Sequence, residues 1–347
     1  MKLLKVCGLL LAVFVAAVFT AKYWFVDYLS RPLTTIDQPV IIDVTAGMSY
    51  KRLINELANK GVLEYPDWVF GYVRLTDQPN ILVGEYRIDK TDSVLGVLKK
   101  IQRGDVLSHL VTIPEGFNLS EMMRRLAANS YLRQTATLDA LPALISRLGY
   151  GDFDNAEGLF FPDSYAIVKG QSETQLLTVM AQRLQKVLAD EWQKRDKDLP
   201  YKTPYEALIM ASIIEKETGL ESERDEIAGV FVRRLRKNMR LQTDPTVIYG
   251  MGERYQGKIT RRDLKTDTAY NTYTRSGLPP TPIALVGREA IYAALHPKPG
   301  KSLYFVAKGD GSHYFSDTLA EHNKAVKQYQ LSRRADYRSQ PNAKTEK

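Results

Sequence analysis

Residues 211–218 read ASIIEKET, an apolar run that ends in two carboxylates, Glu215 and Glu217, around Lys216. A carboxylic acid set among apolar side chains resists ionisation and can donate its proton near neutral pH, as general acid catalysis requires. Which glutamate could do this depends on the element that carries it. Thr203 suits a helix N-cap, Pro204 the first helical position and Glu206 the side chain that bonds back to the cap. Gly219 suits the position just past a helix end, so one helix is predicted over 204–218.

At about 100° per residue, Glu217 shares a face with Met210, Ile213 and Ile214. Glu215 points about 160° away, beside Leu208, Ala211 and Ser212. Glu217 is therefore expected on the more apolar stripe. The negative end of the helix dipole adds to this, so its pKa should exceed the ordinary value of about 4.3. A surface Glu-Lys-Glu string with no chemistry is the competing reading.

Other residues could hold a ligand. In LQTDPTVIYGMGERY (241–255), Gln242, Thr243, Asp244 and Tyr249 offer donors, acceptors and a ring. Asp244 could instead cap a helix starting at Pro245. In YNTYTRSGLPPTPI (270–283), Asn271, Thr272 and Tyr273 combine amide, hydroxyl and aromatic surface suited to a sugar ring. Gly277 and Pro279 belong to a rigid turn that could shape a cleft wall. Arg233, Arg234 and Arg236 could meet carboxylates, but a solvated basic helix face is the simpler expectation. Phe160, Phe161 and Tyr165 in EGLFFPDSY (157–165) suit a core, with Pro162 and Asp163 in a turn.

The bulk composition bounds the partners. The chain has 347 residues, enough for two or three domains, and 48 basic against 40 acidic side chains, a formal net charge of +8. That balance suits a polyanion. No zinc-finger spacing, P-loop or basic run with interleaved aromatics occurs, so nucleic acid is not expected as a partner. One cysteine, Cys7, precludes an internal disulfide. His109, His296, His313 and His322 show no metal-ligand spacing. No Gly-rich phosphate cradle stands near a candidate Schiff-base lysine. No metal or cofactor is expected.

Lys2 and Lys5 precede an uncharged run, Val6 to Ala21, followed by Lys22, Tyr23, Trp24 and Phe25. A span needs about 20 residues, which residues 6–26 supply if Lys22 snorkels beside the aromatic belt. A cleaved signal peptide, with Val15-Ala16-Ala17 at its end, is the rival. As an anchor, the segment contacts membrane lipid, leaves residues 1–5 in the cytoplasm and puts the rest outside.

The predicted fold class is α+β. A polar stalk at 27–37 precedes a small unit at 38–107: a strand (QPVIIDV), a helix ended by Gly61, a second helix (PDWVFGYVRL), a strand (ILVGEYRID) and a helix stopped by Gly104. That order resembles a LysM-like module. A strand-and-turn section, LSHLVTIPEG (108–116), opens a larger mixed domain at 108–331, and a polar, disordered tail is expected at 332–347.

ASIIEKET, LQTDPTVIYGMGERY, YNTYTRSGLPPTPI and EGLFFPDSY together closely resemble the endolytic murein transglycosylases of the YceG-like family, across nearly the whole chain after the anchor. The resemblance implies a lytic transglycosylase-like catalytic domain in the periplasm, anchored in the inner membrane by a single pass. It implies cleavage of the MurNAc–GlcNAc bond inside nascent peptidoglycan strands, leaving 1,6-anhydro ends. It also implies work beside peptidoglycan synthases, the penicillin-binding proteins. It carries the catalytic role to Glu217, with Glu215 as runner-up. Other lytic transglycosylases place their acid in an Ile-x-x-Glu-Ser pattern, which Ile214 to Thr218 matches with Thr218 in the place of serine. A non-catalytic, membrane-anchored glycan-binding scaffold is the alternative.

Overall fold

A computed structural model describes residues 2–76, 80–151 and 155–331. In chain order the elements are α1 (Lys2–Ser30), β1 (Val40–Val44), α2 (Tyr50–Asn59), α3 (Pro66–Leu75), β2 (Gly84–Ile88), α4 (Val94–Arg103) and β3 (Ser108–Thr112). There follow α5 (Leu119–Ala127), β4 (Leu132–Arg133), α6 (Leu141–Arg147), β5 (Ser164–Val168), β6 (Gln171–Ser172) and α7 (Glu173–Lys194). The remainder is α8 (Pro204–Glu217), α9 (Glu221–Arg236), α10 (Asp244–Met251), α11 (Arg261–Lys265), α12 (Arg288–Leu295), β7 (Tyr304–Ala307), β8 (His313–Ser316) and α13 (Leu319–Val326). Among the described residues the strands form two-stranded sheets only, so the fold is mixed α+β with helices dominant. The tail expected at 332–347 lies outside the described residues.

Two compact units emerge: residues up to Leu110 together with Ala166–Gln171, and Val111–Tyr165 with the residues from Ser172 on. The short return of Ala166–Gln171 to the first unit interrupts the larger region expected at 108–331.

In the first unit, β1 and β2 pair antiparallel, Val40 opposite Ile88 and Val44 opposite Gly84. Ile42, Val44, Tyr86 and Ile88 point inward onto Leu53, Ile54 and Leu57 of α2 and Val97, Leu98 and Ile101 of α4. Gly104 stops α4 in the left-handed conformation (φ 73°), where a Cβ would be strained. Lys5–Ser30 of α1, with mean hydropathy 2.1, is long and apolar enough to cross a membrane. Residues 27–37 differ from the free polar stalk expected. Tyr28, Leu29, Leu33 and Ile36 are buried in this core, and the Tyr28 hydroxyl accepts from the N–H groups of Glu64 and Tyr65. The four apolar side chains are spaced to dock on one side, which a composition-based reading of DYLSRPLTTID passed over.

In the second unit α8 is the central helix, packed against α7, α9, α10 and α12. Every residue from Ala207 to Ile214 is buried. The expectation of one apolar stripe is therefore corrected: the face of Leu208, Ala211 and Ser212 is as buried as that of Met210 and Ile213, as befits a helix apolar all round. Thr203 caps α8 by accepting from the Glu206 N–H (3.2 Å), but the Glu206 carboxylate takes the N–H of Lys202 instead of the cap residue, so the reciprocal box does not close. The helix ends at Glu217, one residue earlier than expected, with Thr218 extended beyond it.

Candidate active site

The last turn of α8 opens onto a cleft of about 930 Å³, lined by Lys216, Glu217, Gln242, Asp244, Tyr273, Tyr304, His313 and His322 among others. Glu217 is half-buried at its edge. Its Oε1 accepts a short hydrogen bond from the Thr243 hydroxyl. Its pKa is pushed up to about 7, first by burial and then by the negative charge of Asp244. The Thr243 bond and the Arg234 guanidinium act in the opposite direction. The group is thus balanced between its two protonation states near neutrality.

The segment before α10 holds this arrangement. Gln242 is exposed in the left-handed region (φ 52°), a costly conformation for a residue with a Cβ. Its N–H donates to the Thr272 carbonyl (3.2 Å). Thr243, fully buried, donates its own N–H to the Thr272 hydroxyl (3.1 Å), while its carbonyl accepts from the Thr246 hydroxyl (2.8 Å). Thr243 is the N-cap residue of α10 but makes no side-chain cap bond. Its hydroxyl is spent on Glu217. Asp244 is the first helical residue, not the cap that its sequence position allowed. Its carboxylate accepts from the Tyr273 hydroxyl (2.6 Å).

Arg234 braces the cleft from below. It is buried, donates from Nε to the Leu303 carbonyl (2.6 Å) and from Nη1 to the Leu241 carbonyl (2.7 Å), and lies over the Tyr304 ring. Arg233 donates to the carbonyls of Ser302 and Lys298, and Arg236 to that of Asp198. The solvated basic face expected of these arginines is corrected for two of them: Arg233 and Arg234 tie carbonyls of the chain after α12, which folds back over α9, whereas Arg236 stays exposed.

Of the residues singled out in the sequence, Glu217, Gln242, Asp244 and Tyr273 meet on the cleft, with Thr243 and Thr272 buried beneath them. Asn271 is buried and committed. Its amide donates to the carbonyls of Asp263, Leu264 and Thr266, and its oxygen accepts from the Tyr273 N–H. Tyr249 turns elsewhere, donating to the buried Glu157 carboxylate (3.0 Å) with its ring edge-on to Tyr270. Gly277 (φ 84°) and buried Pro279 form a turn outside the cleft lining. Glu215 leaves α8 on the other side. It accepts from the Gly287 N–H (3.1 Å) and faces Arg224 at 3.6 Å. Burial, followed by the charge of Glu115, lifts its pKa to about 7 as well. Protonation alone does not separate the two glutamates; access to the cleft does.

The opposite wall was missed in the sequence. β7 and β8 form an antiparallel hairpin, Tyr304 opposite Ser316 and Ala307 opposite His313. His313 is buried, with Nδ1 2.7 Å from Glu223, and His322 of α13 stacks on Tyr304 (5.2 Å). Burial holds the His322 pKa below its ordinary value, with Arg234 adding to the effect. The signal was present: YFVA and HYFS flank Gly309-Asp310-Gly311, a hairpin signature.

A family model described as the YceG-like family matches residues 42–328. A Bacillus subtilis (strain 168) protein named endolytic murein transglycosylase is 29% identical over 307 residues, covering 84% of each chain. A protein of the same name from Streptococcus pneumoniae serotype 2 (strain D39) is 26% identical over 355 residues, covering 91% of this chain. The chain spans 64% of that relative's length. A crystal structure of a YceG-like protein from Listeria monocytogenes superposes with a TM-score of 0.54 at 32% identity, covering 83% of this chain and 99% of the other. The match runs through both compact units, from within β1 to the end of α13, and on that ground the chain belongs to the YceG-like family.

Proposed function

We propose that the chain is an enzyme of the lyase class: a membrane-anchored, endolytic peptidoglycan lytic transglycosylase. The names of its relatives support the activity. The mechanism rests on one observation, a half-buried Glu217 at the edge of a large cleft with its pKa near 7.

Protonated Glu217 donates its proton to the glycosidic oxygen between N-acetylmuramic acid and N-acetylglucosamine. The bond from muramic C1 to that oxygen breaks, and the sugar passes through an oxocarbenium-like state. Asp244, held by Tyr273, keeps negative charge beside the centre where positive charge develops. Glu217, now a carboxylate, takes the proton of the muramic C6 hydroxyl as that oxygen closes onto C1. The products are a 1,6-anhydro end and a free 4-hydroxyl, with Glu217 again protonated. Ordinary glycosidases use two carboxyl groups and water as acceptor. Here one group serves both steps, which a pKa near the working pH favours. Gln242 and Tyr273 supply polar and ring surface for the sugars.

In the same reading α1 is the anchor, with the N-terminal lysines cytoplasmic and the rest periplasmic. The antiparallel β1–β2 pair enclosing α2 and α3 supports a LysM-like unit at 38–107. Cleavage within nascent strands ends their elongation beside penicillin-binding synthases.

The test is Glu217→Gln and Glu215→Gln in the full chain, assayed on uncross-linked glycan strands by mass analysis of muramic ends. E217Q is expected to lose about a thousandfold in anhydro-end formation, and E215Q far less. Normal release by E217Q would refute the assignment. Strand binding without anhydro ends in the wild type would mark a scaffold instead.

A further inference from the structure

The anchor helix does not stop at the membrane surface. Tyr28 and Leu29, on its last turn, are buried in the core of the first unit. One turn earlier, the rings of Trp24 and Phe25 pack against α3. Trp24 meets Tyr65 (5.2 Å) and Trp68 (5.9 Å) edge-on, and Phe25 meets Trp68 (5.8 Å) and Tyr72 (6.2 Å).

These contacts have a direction. Tyr65, just before α3, touches Tyr28 and Trp24; Trp68 touches Trp24 and Phe25; Tyr72 touches Phe25. Moving along α3 thus steps back along α1, toward the apolar span that ends near Val26. Leu75 lies about 4.5 Å further in the same direction, at 1.5 Å of rise per residue. Trp68, Tyr72 and Leu75 fall at i, i+4 and i+7 and share one stripe. Val69 and Val73 hold the other side of α3 in the core. The stripe is open: Trp68 is 52% exposed and Leu75 89%. Tryptophan and tyrosine favour the boundary between lipid and water, and an exposed apolar helix face suits that boundary.

We propose that α3 lies in the outer headgroup layer of the bilayer, its Trp68–Tyr72–Leu75 stripe against phospholipid, so that two helices hold the first unit at the membrane. The proposal rests on the reading of α1 as an anchor. Its occupant is lipid because the stripe continues the surface of the span itself. Exposed Arg74, beside Leu75, is placed for headgroup phosphate.

The chain has three tryptophans, Trp24, Trp68 and Trp192. Two full-length variants isolate the relevant ones: W24F/W192F keeps Trp68, and W68F/W192F keeps Trp24. Each is reconstituted in vesicles of phosphatidylethanolamine and phosphatidylglycerol, with or without bromine near the headgroup end of the acyl chains. Trp68 emission is expected to fall about twofold with brominated lipid, close to the loss for Trp24. Quenching of Trp24 with none of Trp68 overturns the proposal and leaves the anchor standing. Quenching of neither overturns both. A spin label on Leu75→Cys, in a Cys7→Ala background with all tryptophans kept, gives an independent reading. Oxygen should relax it more than a water-soluble nickel complex does; the reverse order places Leu75 in water and rejects the proposal.

Discussion

The hydroxyl of Thr243 donates to the carboxylate of Glu217, tying the end of α8 to the residue before α10. The backbone of the same residue is held on both sides, its N–H by the Thr272 hydroxyl and its carbonyl by that of Thr246. The bond favours the ionised carboxylate, whereas burial and Asp244 favour the protonated one. The acid–base group of the proposed mechanism therefore sits between neighbours that pull in opposite directions.

That opposition has a kinetic consequence. The first step needs protonated Glu217, so kcat/KM for strand cleavage should fall about tenfold per pH unit above its pKa. Thr243→Val removes a bond to the charged form and should move this alkaline limb upward by roughly a unit. Asp244→Asn removes a like charge and should move it downward. Full pH profiles of the three proteins check this. A shift of both variants in the same direction would contradict the assignment.

Stability should vary with pH in a definite sense. Burial raises the carboxyls of Glu157, Glu215 and Glu217 from 4.5 to about 7. Each binds its proton more tightly in the folded chain. Their contribution is fully present below the unfolded value of 4.5 and declines as pH rises through about 7. Urea unfolding should show a loss on the order of 1 kcal/mol or more per group across that window. Glu157→Gln and Glu215→Gln should each flatten part of the slope. A rise in stability over the same window would count against the burial of these groups.

Gln242 tests whether strain is stored for function. Its left-handed backbone suits glycine and penalises a β-branched residue. Gln242→Val should destabilise the chain by about 1 to 2 kcal/mol, whereas Gln242→Gly should leave stability unchanged or higher. Both should raise KM, since each removes the side chain that lines the cleft. Denaturation curves and strand-cleavage kinetics on the same preparations separate the two effects.

Gly158 follows the buried Glu157, which accepts from the Tyr249 hydroxyl. Its φ is +73°, and a Cβ there would overlap the Pro282 ring. Gly158→Ala combines backbone strain with overlap against a rigid ring, so a loss of about 2 kcal/mol or more is expected. A melting temperature equal to wild type would show that the 282–284 loop yields.

Local signals in the chain were sufficient for the elements. Thr203-Pro204 starts α8, Gly104 ends α4, and the charge-free run after Lys5 forms the helix of a candidate span, since caps, breakers and apolar runs act within a few residues. The angle between Glu215 and Glu217 was likewise legible from helical phase. What surrounds each of them was not. Phase relates residues on one helix to each other, but packing against α7, α9, α10 and α12 decides what every face meets. That packing buries both sides of α8, raises both glutamates, and leaves only Glu217 on the large cleft. Contacts distant in sequence likewise turn Tyr249 toward Glu157, commit Asn271 to carbonyls, sink Arg234 beneath the cleft and draw residues 28–36 into a core. Each is a choice among hydrogen-bond partners and apolar neighbours that become available only once the chain has folded.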